Sequence, residues 1–425
     1  MNSNAETPKD KGLDHTLALL SEGFQFIPNR RKELGSDVFQ TRLLGQKVIC
    51  MSGKEAAEVF YDEERFIRKG AAPPRIKKSL FGKGGVQGLD DADHKHRKLM
   101  FLSLMTPERL DDVVNITRKN WQAKIPEWEE AEQLVLFDEA EEVMCKTACE
   151  WAGVPLEGNE VNQRAKEFGE MVDAFGAVGQ RYQRGKKARE RSEKWIEAFI
   201  EQIRAKKERP AENTAAYVIA WHRDRKGKLL DRHTAAVELI NILRPIVAIG
   251  RYITFGALAL HDYPEVRQKL EKEEEGYSKM VAQEIRRFYP FGPFLGARVR
   301  TNFNWNGHEF KKGTLVLLDI YGTNRHPDLW EKPDEFRPER FKDWKGSPFA
   351  FIPQGGGDHY MGHRCAGEWV TVMLMQESLE FLANQVTYDV PEQDLSYRLG
   401  RMPSIPKSRL VIANVRRAHE PSQTT

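Results

Sequence analysis

The sequence contains little cysteine. Cys50, Cys145, Cys149 and Cys365 are its four cysteines, and their spacing does not match the disulfide framework of a secreted protein. We therefore expect a reducing, cytoplasmic environment. Cys145 and Cys149 lie four residues apart on a predicted helix without a histidine nearby, so we expect them to be core residues rather than metal ligands.

The sequence also lacks a charge of dominant sign. Its 66 lysines and arginines nearly balance its 63 aspartates and glutamates, which gives no indication of nucleic acid as a partner. Residues 1–12 are polar and lack the apolar core of a signal peptide. No apolar run reaches the length expected of a membrane span. These absences predict a cytoplasmic protein without a membrane span.

No internal repeat, low-complexity tract or linker interrupts the chain between its ends. The length of 425 residues is compatible with two or three domains, but the missing linker favours one. We expect a disordered N-terminal tail over residues 1–12, a single domain over residues 13–415 and a C-terminal tail over residues 416–425.

Helical hydrophobic patterns dominate up to about residue 290. We predict helices over residues 134–151, 165–178, 190–203, 234–260 and 278–289. Ser52 is predicted to cap a further helix, and Thr106-Pro107 to begin another. Two hairpins are expected, one over residues 38–51 around Gly45 and one around Asn306-Gly307, which joins residues 297–305 to 310–318. The predicted fold class is mainly α with a small β-region.

One glycine-rich segment, residues 351–369, contains Cys365. Gly355, Gly356 and Gly357 allow the backbone to pass close to a flat group. Cys365 precedes a predicted buried helix, whose N-terminus favours a thiolate over a thiol. The cysteine is therefore a candidate metal ligand or nucleophile, with an ordinary buried cysteine as the alternative.

The predicted helix over residues 234–260 is apolar nearly all round but carries Arg244-Pro245 in its middle. Proline there removes the hydrogen bond to the carbonyl of Asn241 and is expected to kink the helix. A buried arginine is costly unless it meets an anion. We favour a bound carboxylate for Arg244, with an ion pair to a core Asp or Glu as the alternative. For Arg251, seven residues on, we expect the structural ion pair.

Three motifs occur in a characteristic order: Glu284-Ile285-Arg286-Arg287, then Pro338-Glu339-Arg340-Phe341, then the glycine-rich loop ending in Cys365-Ala366-Gly367. This order resembles the cytochrome P-450 superfamily. The resemblance implies a helical bundle with a small β-region enclosing haem b (iron protoporphyrin IX), and Cys365 as the thiolate ligand of the iron. It also implies that Glu284, Arg287 and Arg340 form a buried structural charge network.

Most monooxygenases of this superfamily carry an acidic residue followed by threonine in the central helix, where this chain has Arg244-Pro245. With Lys11-Gly12-Leu13-Asp14, residues 101–106 and residues 291–295, this departure resembles the bacterial fatty-acid peroxygenases, which include hydroxylases and alkene-forming decarboxylases. The resemblance implies hydrogen peroxide as the oxidant and no reductase partner. A long-chain fatty acid would be held by Arg244, and its carboxylate would serve as general acid–base.

The resemblance also assigns roles to other residues. Arg244, Pro245 and Gln87 are the implied catalytic residues, and Arg244 and Gln87 also contact the substrate. Gln87 stands where alkene-forming relatives carry histidine and hydroxylating relatives glutamine, so we expect α- and β-hydroxylation, with terminal alkenes as the alternative product. The implied cofactor contacts are Arg68, His94, Lys98, Arg364 and Cys365. The implied acyl channel is lined by Phe81, Phe291, Phe294 and Leu295.

Other functions fit the same residues. A reductase-dependent monooxygenase would use the same haem. A non-catalytic fatty-acid carrier would use Arg244 as an anchor, with Cys365 merely buried. A thiol enzyme would use Cys365 with His363.

Overall fold

The computed structural model of the protein describes residues 7–272 and 274–418. This part of the chain is mainly helical with small sheets, as predicted. Residues 1–6 and 419–425, the outer parts of the two predicted tails, lie outside the described residues. That residues 13–415 form a single domain stays a prediction.

The helices occupy most of the first three quarters of the chain. In chain order they are α1 Thr16–Glu22, α2 Phe26–Leu34, α3 Lys54–Phe60, α4 Pro74–Ile76, α5 Asp91–Leu102, α6 Pro107–Gln122, α7 Ile125–Glu130, α8 Leu136–Ala152, α9 Val161–Asp173, α10 Gly179–Arg204, α11 Ala215–Trp221, α12 Arg232–Asp262, α13 Pro264–Glu271, α14 Tyr277–Phe288, α15 Ile320–Thr323 and α16 Glu368–Glu380. The predicted helices are all present; α9 ends before residue 178 because the chain turns at Gly176, whose φ is +65°.

The strands form three small sheets. They are β1 Val38–Leu43, β2 Gln46–Met51, β3 Phe66–Ile67, β4 Gln133–Val135, β5 Phe294–Val299, β6 Phe303–Trp305, β7 His308–Phe310, β8 Leu315–Asp319, β9 Val386–Asp389 and β10 Val411–Arg417. The largest sheet has the order β1-β2-β8-β5-β3, in which only β2 and β8 run parallel. The others have the orders β4-β10-β9 and β6-β7.

Both predicted hairpins are confirmed. Leu44-Gly45 and Asn306-Gly307 have positive φ at both positions, the conformation that two-residue hairpin turns require. The second hairpin is nested: β6 and β7 form its tip, and β5 pairs with β8 below it, with Leu295 opposite Leu318. Each predicted arm is therefore two short strands.

Helix α12 is the central element. It packs against α8, α9, α10, α14 and α16, and almost every side chain from Ala235 to Leu260 is buried. Pro245 lies inside this continuous helix and does not end it. By length and composition α12 could cross a membrane, which the sequence prediction missed, but its most apolar window is 94% buried inside the protein.

Two local predictions differ from the structure. Ser52 does not cap α3; Gly53 precedes that helix, and the Ser52 hydroxyl instead donates to Asp319 at 3.0 Å. The inner parts of both predicted tails are attached to the fold. Asp10 accepts a hydrogen bond from Arg30 Nε at 2.6 Å, and Arg416 and Arg417 belong to β10.

Candidate active site

A cavity of about 440 Å³ lies between α12 and the cysteine loop. Its wall brings together nearly all of the predicted site residues: Phe81, Gln87, His94, Lys98, Arg244, Pro245, Phe291, Phe294, Leu295, Arg364 and Cys365. Arg68 is the exception. Its guanidinium lies over the ring of Phe60, 4.5 Å from the centroid, and it does not line the cavity.

The cysteine loop is held by its own backbone. Cys365 N donates to the carbonyl of Gln354 at 3.0 Å, and α16 begins three residues later. Gly355 has a φ of +92°, and a Cβ there would lie 2.8 Å from the hydroxyl oxygen of Tyr61. Within the described chain, the side-chain group that Gly355 approaches is the Tyr61 hydroxyl, and the close approach to a flat ligand stays a prediction.

The surroundings of Cys365 act on its thiol in two directions. Burial raises its pKa, although the Gly367 N–H and the charges of Lys98 and Arg286 act in the opposite direction. A coordinating metal ion deprotonates a thiol outright, so a metal bound to Cys365 would favour the thiolate.

Lys98 ties the cysteine loop to α5. Its ammonium group donates to the carbonyl oxygens of Gly362 and of Arg364, the latter at 2.7 Å. Burial lowers the pKa of Lys98 to about 8. Beside it, the rings of His94 and His363 stack with their centroids 3.8 Å apart. His94 Nδ1 is buried without a hydrogen-bond partner among the described residues.

Arg364 faces the cavity but also has a carboxylate partner. Its Nε donates to Glu368 at 2.5 Å, and Arg286 donates to the other oxygen of the same carboxylate at 2.6 Å. Glu368 therefore anchors the start of α16 beneath the cysteine. Sequence reasoning missed this carboxylate.

Arg244 is buried in the opposite wall, with 7% of its surface exposed. Its one hydrogen bond runs from Nη2 to Asn241 Oδ1 at 3.4 Å, and its Nε has no partner. Among residues 7–272 and 274–418, no carboxylate lies within ion-pair distance of it, and no Asp or Glu lines the cavity. Burial, with the nearby charge of Arg189, lowers the pKa of Arg244 to about 9. Within the described chain, the alternative of a structural ion pair does not hold.

Asn241 is a site residue that sequence reasoning used only for its carbonyl. Its Nδ2 donates to Glu238 at 3.0 Å and to Gln87 Oε1 at 3.4 Å, and it lines the cavity. Its spacing of three residues from Arg244 on one helix was the available signal.

The rest of the wall is apolar and aromatic. Phe291 stacks on Tyr252 with centroids 4.5 Å apart, and Phe294 packs against Phe175 at 6.3 Å. Leu295 is 38% exposed, which places it at the outer edge of the lining. These side chains offer apolar contacts to a long apolar ligand, and Arg244, Asn241 and Gln87 are among the polar groups of the same wall.

The predicted structural charge network lies away from the cavity. Arg287 donates to both oxygens of Glu284, at 2.7 and 2.8 Å, and Arg340 Nε donates to the same carboxylate at 3.2 Å. Glu284 and Arg287 are almost fully buried.

The lining fits the haem that the sequence resemblance implies. Cys365 offers a soft sulfur ligand at one wall. The cationic or unsatisfied donors of Lys98, His94 and Arg364 are suited to the acidic side groups of a porphyrin. The remaining wall is apolar enough to cover a flat ring.

Known proteins resemble this chain over most of its length. Residues 16–384 match the cytochrome P450 family. Protopanaxadiol 6-hydroxylase of Panax ginseng is 23% identical over 381 residues, which cover 81% of this chain and 79% of that protein.

Solved structures are more similar still. Cytochrome P450EX alpha with myristic acid is 49% identical, with a TM-score of 0.94 over 97% of this chain and 99% of that one. A variant of cytochrome P450 OleT in complex with arachidonic acid is 40% identical, with a TM-score of 0.95 over 98% of this chain and 100% of that one. These matches confirm the family, the fold and the branch predicted from the sequence.

Proposed function

The chain belongs to the cytochrome P450 family, and from that premise we propose that it is a hydrogen-peroxide-dependent peroxygenase that hydroxylates long-chain fatty acids at the α or β carbon. The observation that carries the proposal is Arg244, a buried cation without a counter-charge in the wall of an apolar cavity. Similar solved structures contain myristic and arachidonic acid, which combine one carboxylate with a long apolar chain.

The family implies thiolate-ligated haem iron, and we propose haem b with Cys365 as its ligand. Lys98, His94 and Arg364 would hold the acidic side groups, with Arg68 behind them. When bound, the haem supplies cleavage of the peroxide O–O bond and oxidation of the substrate C–H bond.

Arg244 binds the substrate carboxylate. Its planar fork suits two parallel N–H···O bonds to a carboxylate, and the incoming anion offsets the cost of the buried charge. No acidic side chain lines the described cavity, so the bound carboxylate would be its one carboxyl group and would serve as the acid–base group of the reaction. A carboxylate oxygen would take a proton from hydrogen peroxide and return it during cleavage, so the acid arrives with the substrate. No reductase is needed, because hydrogen peroxide already carries the two electrons that a reductase would add to dioxygen.

The position of oxidation follows from this anchor. A carboxylate fixed by Arg244 leaves the α and β carbons as the first C–H groups beyond it, while the aromatic wall holds the rest of the chain. Regioselectivity would therefore come from tethering rather than from C–H bond strength.

Gln87 favours hydroxylation over terminal-alkene formation. It lines the cavity and accepts from Asn241, and a neutral amide does not donate a proton as an imidazolium does. Decarboxylation to a terminal alkene is the second candidate reaction, because the OleT structure covers nearly the whole chain. We propose a cytoplasmic location.

The test is incubation of the purified holoprotein with myristic acid and hydrogen peroxide, without a reductase, and identification of the products by mass spectrometry. We expect 2- and 3-hydroxymyristic acid from the wild type and almost none from Arg244→Ala. The alcohol 1-tetradecanol, which lacks the carboxylate, is the substrate control and should react poorly. Turnover only with an electron-donor system would refute the peroxide route, and a protein without a haem absorption band would leave only the carrier function.

A further inference from the structure

Three polar residues lie three apart on one face of α12. Glu238, Asn241 and Arg244 are 0%, 8% and 7% exposed, so all three are buried polar side chains. Arg97 Nη1 donates to Glu238 Oε1 at 2.6 Å, Asn241 Nδ2 donates to Glu238 Oε2 at 3.0 Å, and Arg244 Nη2 donates to Asn241 Oδ1 at 3.4 Å. The result is a buried chain of contacts that ends at the proposed substrate anchor.

The chemistry of the end groups fixes the direction of the Asn241 amide. An ionised carboxylate only accepts, so the amide nitrogen must face Glu238. A guanidinium only donates, so the amide oxygen must face Arg244. Reversing the amide would oppose donor to donor and acceptor to acceptor.

The same amide determines how Gln87 is presented. Asn241 Nδ2 also donates to Gln87 Oε1 at 3.4 Å, so the carbonyl end of Gln87 is occupied. Gln87 Nε2 has no hydrogen-bond partner among the described residues, and Gln87 lines the cavity. Its amide donors are therefore free for an oxygen of the ligand.

We propose that Asn241 is a positioning residue that directs Arg244 and Gln87 toward the substrate carboxylate, and that Glu238, held by Arg97, fixes the orientation of Asn241. This inference rests on the proposed function of Arg244 as the carboxylate anchor. Asn241 also serves as a neutral spacer. Arg97 forms the ion pair with Glu238, and Asn241 lies between Glu238 and Arg244. The positive charge of Arg244 is therefore not paired with Glu238 and is available to bind the carboxylate of the ligand.

Gly85 lies next to the contact between the Gln87 and Asn241 amides. A Cβ at Gly85 would lie 2.9 Å from Gln87 Oε1 and 3.0 Å from Asn241 Nδ2. An alanine Cβ at this position would crowd the ends of both amides. Gly85→Ala should therefore shift the two amides without removing a polar group.

The experiment measures binding of two probes to the holoprotein by calorimetry: myristic acid and 1-tetradecanol, which share a chain length and differ in the carboxylate. Asn241→Ala should weaken myristic acid binding about tenfold, as expected for loss of one hydrogen bond to a charged group. Glu238→Gln and Gly85→Ala should each weaken it about threefold. Binding of 1-tetradecanol should stay at the wild-type value in all three.

Asn120→Ala is the matched control. Asn120 is also buried and donates to Thr147 at 3.2 Å, but it does not line the cavity, so its loss should change neither affinity. If Asn241→Ala does not take up haem, Gly85→Ala still tests the proposal with its own expected loss of about threefold.

The outcomes separate two failures. Equal losses for both probes, or no loss for either, in the Asn241 and Gly85 variants would overturn the positioning role while Arg244→Ala still loses the acid selectively. If Arg244→Ala itself binds myristic acid as the wild type does, Arg244 is not the carboxylate anchor, and the proposed function is overturned together with the positioning role.

Discussion

Two arginines of α12, seven residues apart, show how differently one helix can use the same side chain. Arg251 is 2% exposed and meets two carboxylates, Glu141 at 3.3 Å and Asp173 at 3.6 Å. Arg244 is similarly buried, but among the described residues it meets only the amide oxygen of Asn241. Each arginine has a buried Nε without a partner, so the difference between them is the counter-charge: the fold supplies carboxylates to Arg251 and none to Arg244.

The difference lies in what surrounds each residue, not in the helix. Arg251 lies where α8 and α9 bring acidic side chains against α12, whereas Arg244 lies where the wall opens into the cavity. A buried charge without a partner costs stability, so its retention points to a role in binding. The contrast between the two arginines leads to four predictions.

Removing Arg251 should cost the most stability. Arg251→Ala leaves the buried Glu141 without this cation, whereas Asp173 keeps Arg401 at 2.5 Å, and loss of one partner of a buried ion pair typically costs about 3–5 kcal/mol. Urea unfolding of the holoprotein measures the change. A decrease in the free energy of unfolding below about 1 kcal/mol would show that the ion pairs of Arg251 do not stabilise the fold.

Removing Arg244 should affect activity rather than stability. Arg244→Ala should lower kcat/KM for myristic acid at least a hundredfold, about 2.7 kcal/mol of transition-state stabilisation. The free energy of unfolding should be unchanged or higher, because an unpaired buried charge is removed. Peroxide-driven assays and urea unfolding of the same preparation check both parts. A large stability loss with retained activity would reverse the assignment of the two arginines.

Myristic acid should stabilise the folded protein only when Arg244 is present. At a concentration one hundred times its Kd, myristic acid should raise the free energy of unfolding of the wild type by about 2.7 kcal/mol. Arg244→Ala should show little of this increase at the same concentration. Calorimetric melting with and without the acid measures it, and equal stabilisation of both proteins would contradict the anchor.

Replacing the planar guanidinium of Arg244 with an ammonium group should have the smallest effect of the four changes. Arg244→Lys keeps the positive charge but loses the planar fork, so we expect about a tenfold loss of affinity for myristic acid, roughly 1.4 kcal/mol. Titration of the holoprotein with the acid gives the value. Wild-type affinity would mean that charge alone, without two-point hydrogen bonding, holds the carboxylate.

Much of the site could be predicted from local sequence. Helix periodicity and a rare buried charge singled out Arg244-Pro245 and Cys365 as candidate site residues, whereas their placement in one site came from the family resemblance. The glycine loop was also visible, but its neighbour Tyr61 was not, because that contact spans about three hundred residues of sequence.

Other features depend on partners that the sequence does not place. Ser52 has the pattern of a helix cap, yet its hydroxyl bonds to Asp319 across the sheet. The Cys365 thiol follows the helix N-terminus, yet burial outweighs that effect and raises its pKa. Glu368 was predicted only as the first residue of a helix, whereas it joins Arg286 and Arg364.

The burial of α12 has a consequence for synthesis of the chain on the ribosome. This 31-residue helix has the length and composition of a membrane span, and part of its surface is covered by α16, which ends at Glu380. At translation rates of about 5–20 residues per second, roughly ten seconds pass before α16 has been synthesised and can pack on that surface. During this interval the apolar surface of α12 that α16 will cover is exposed on the nascent chain. We therefore expect the folding yield of the protein to depend on chaperones that bind exposed apolar segments.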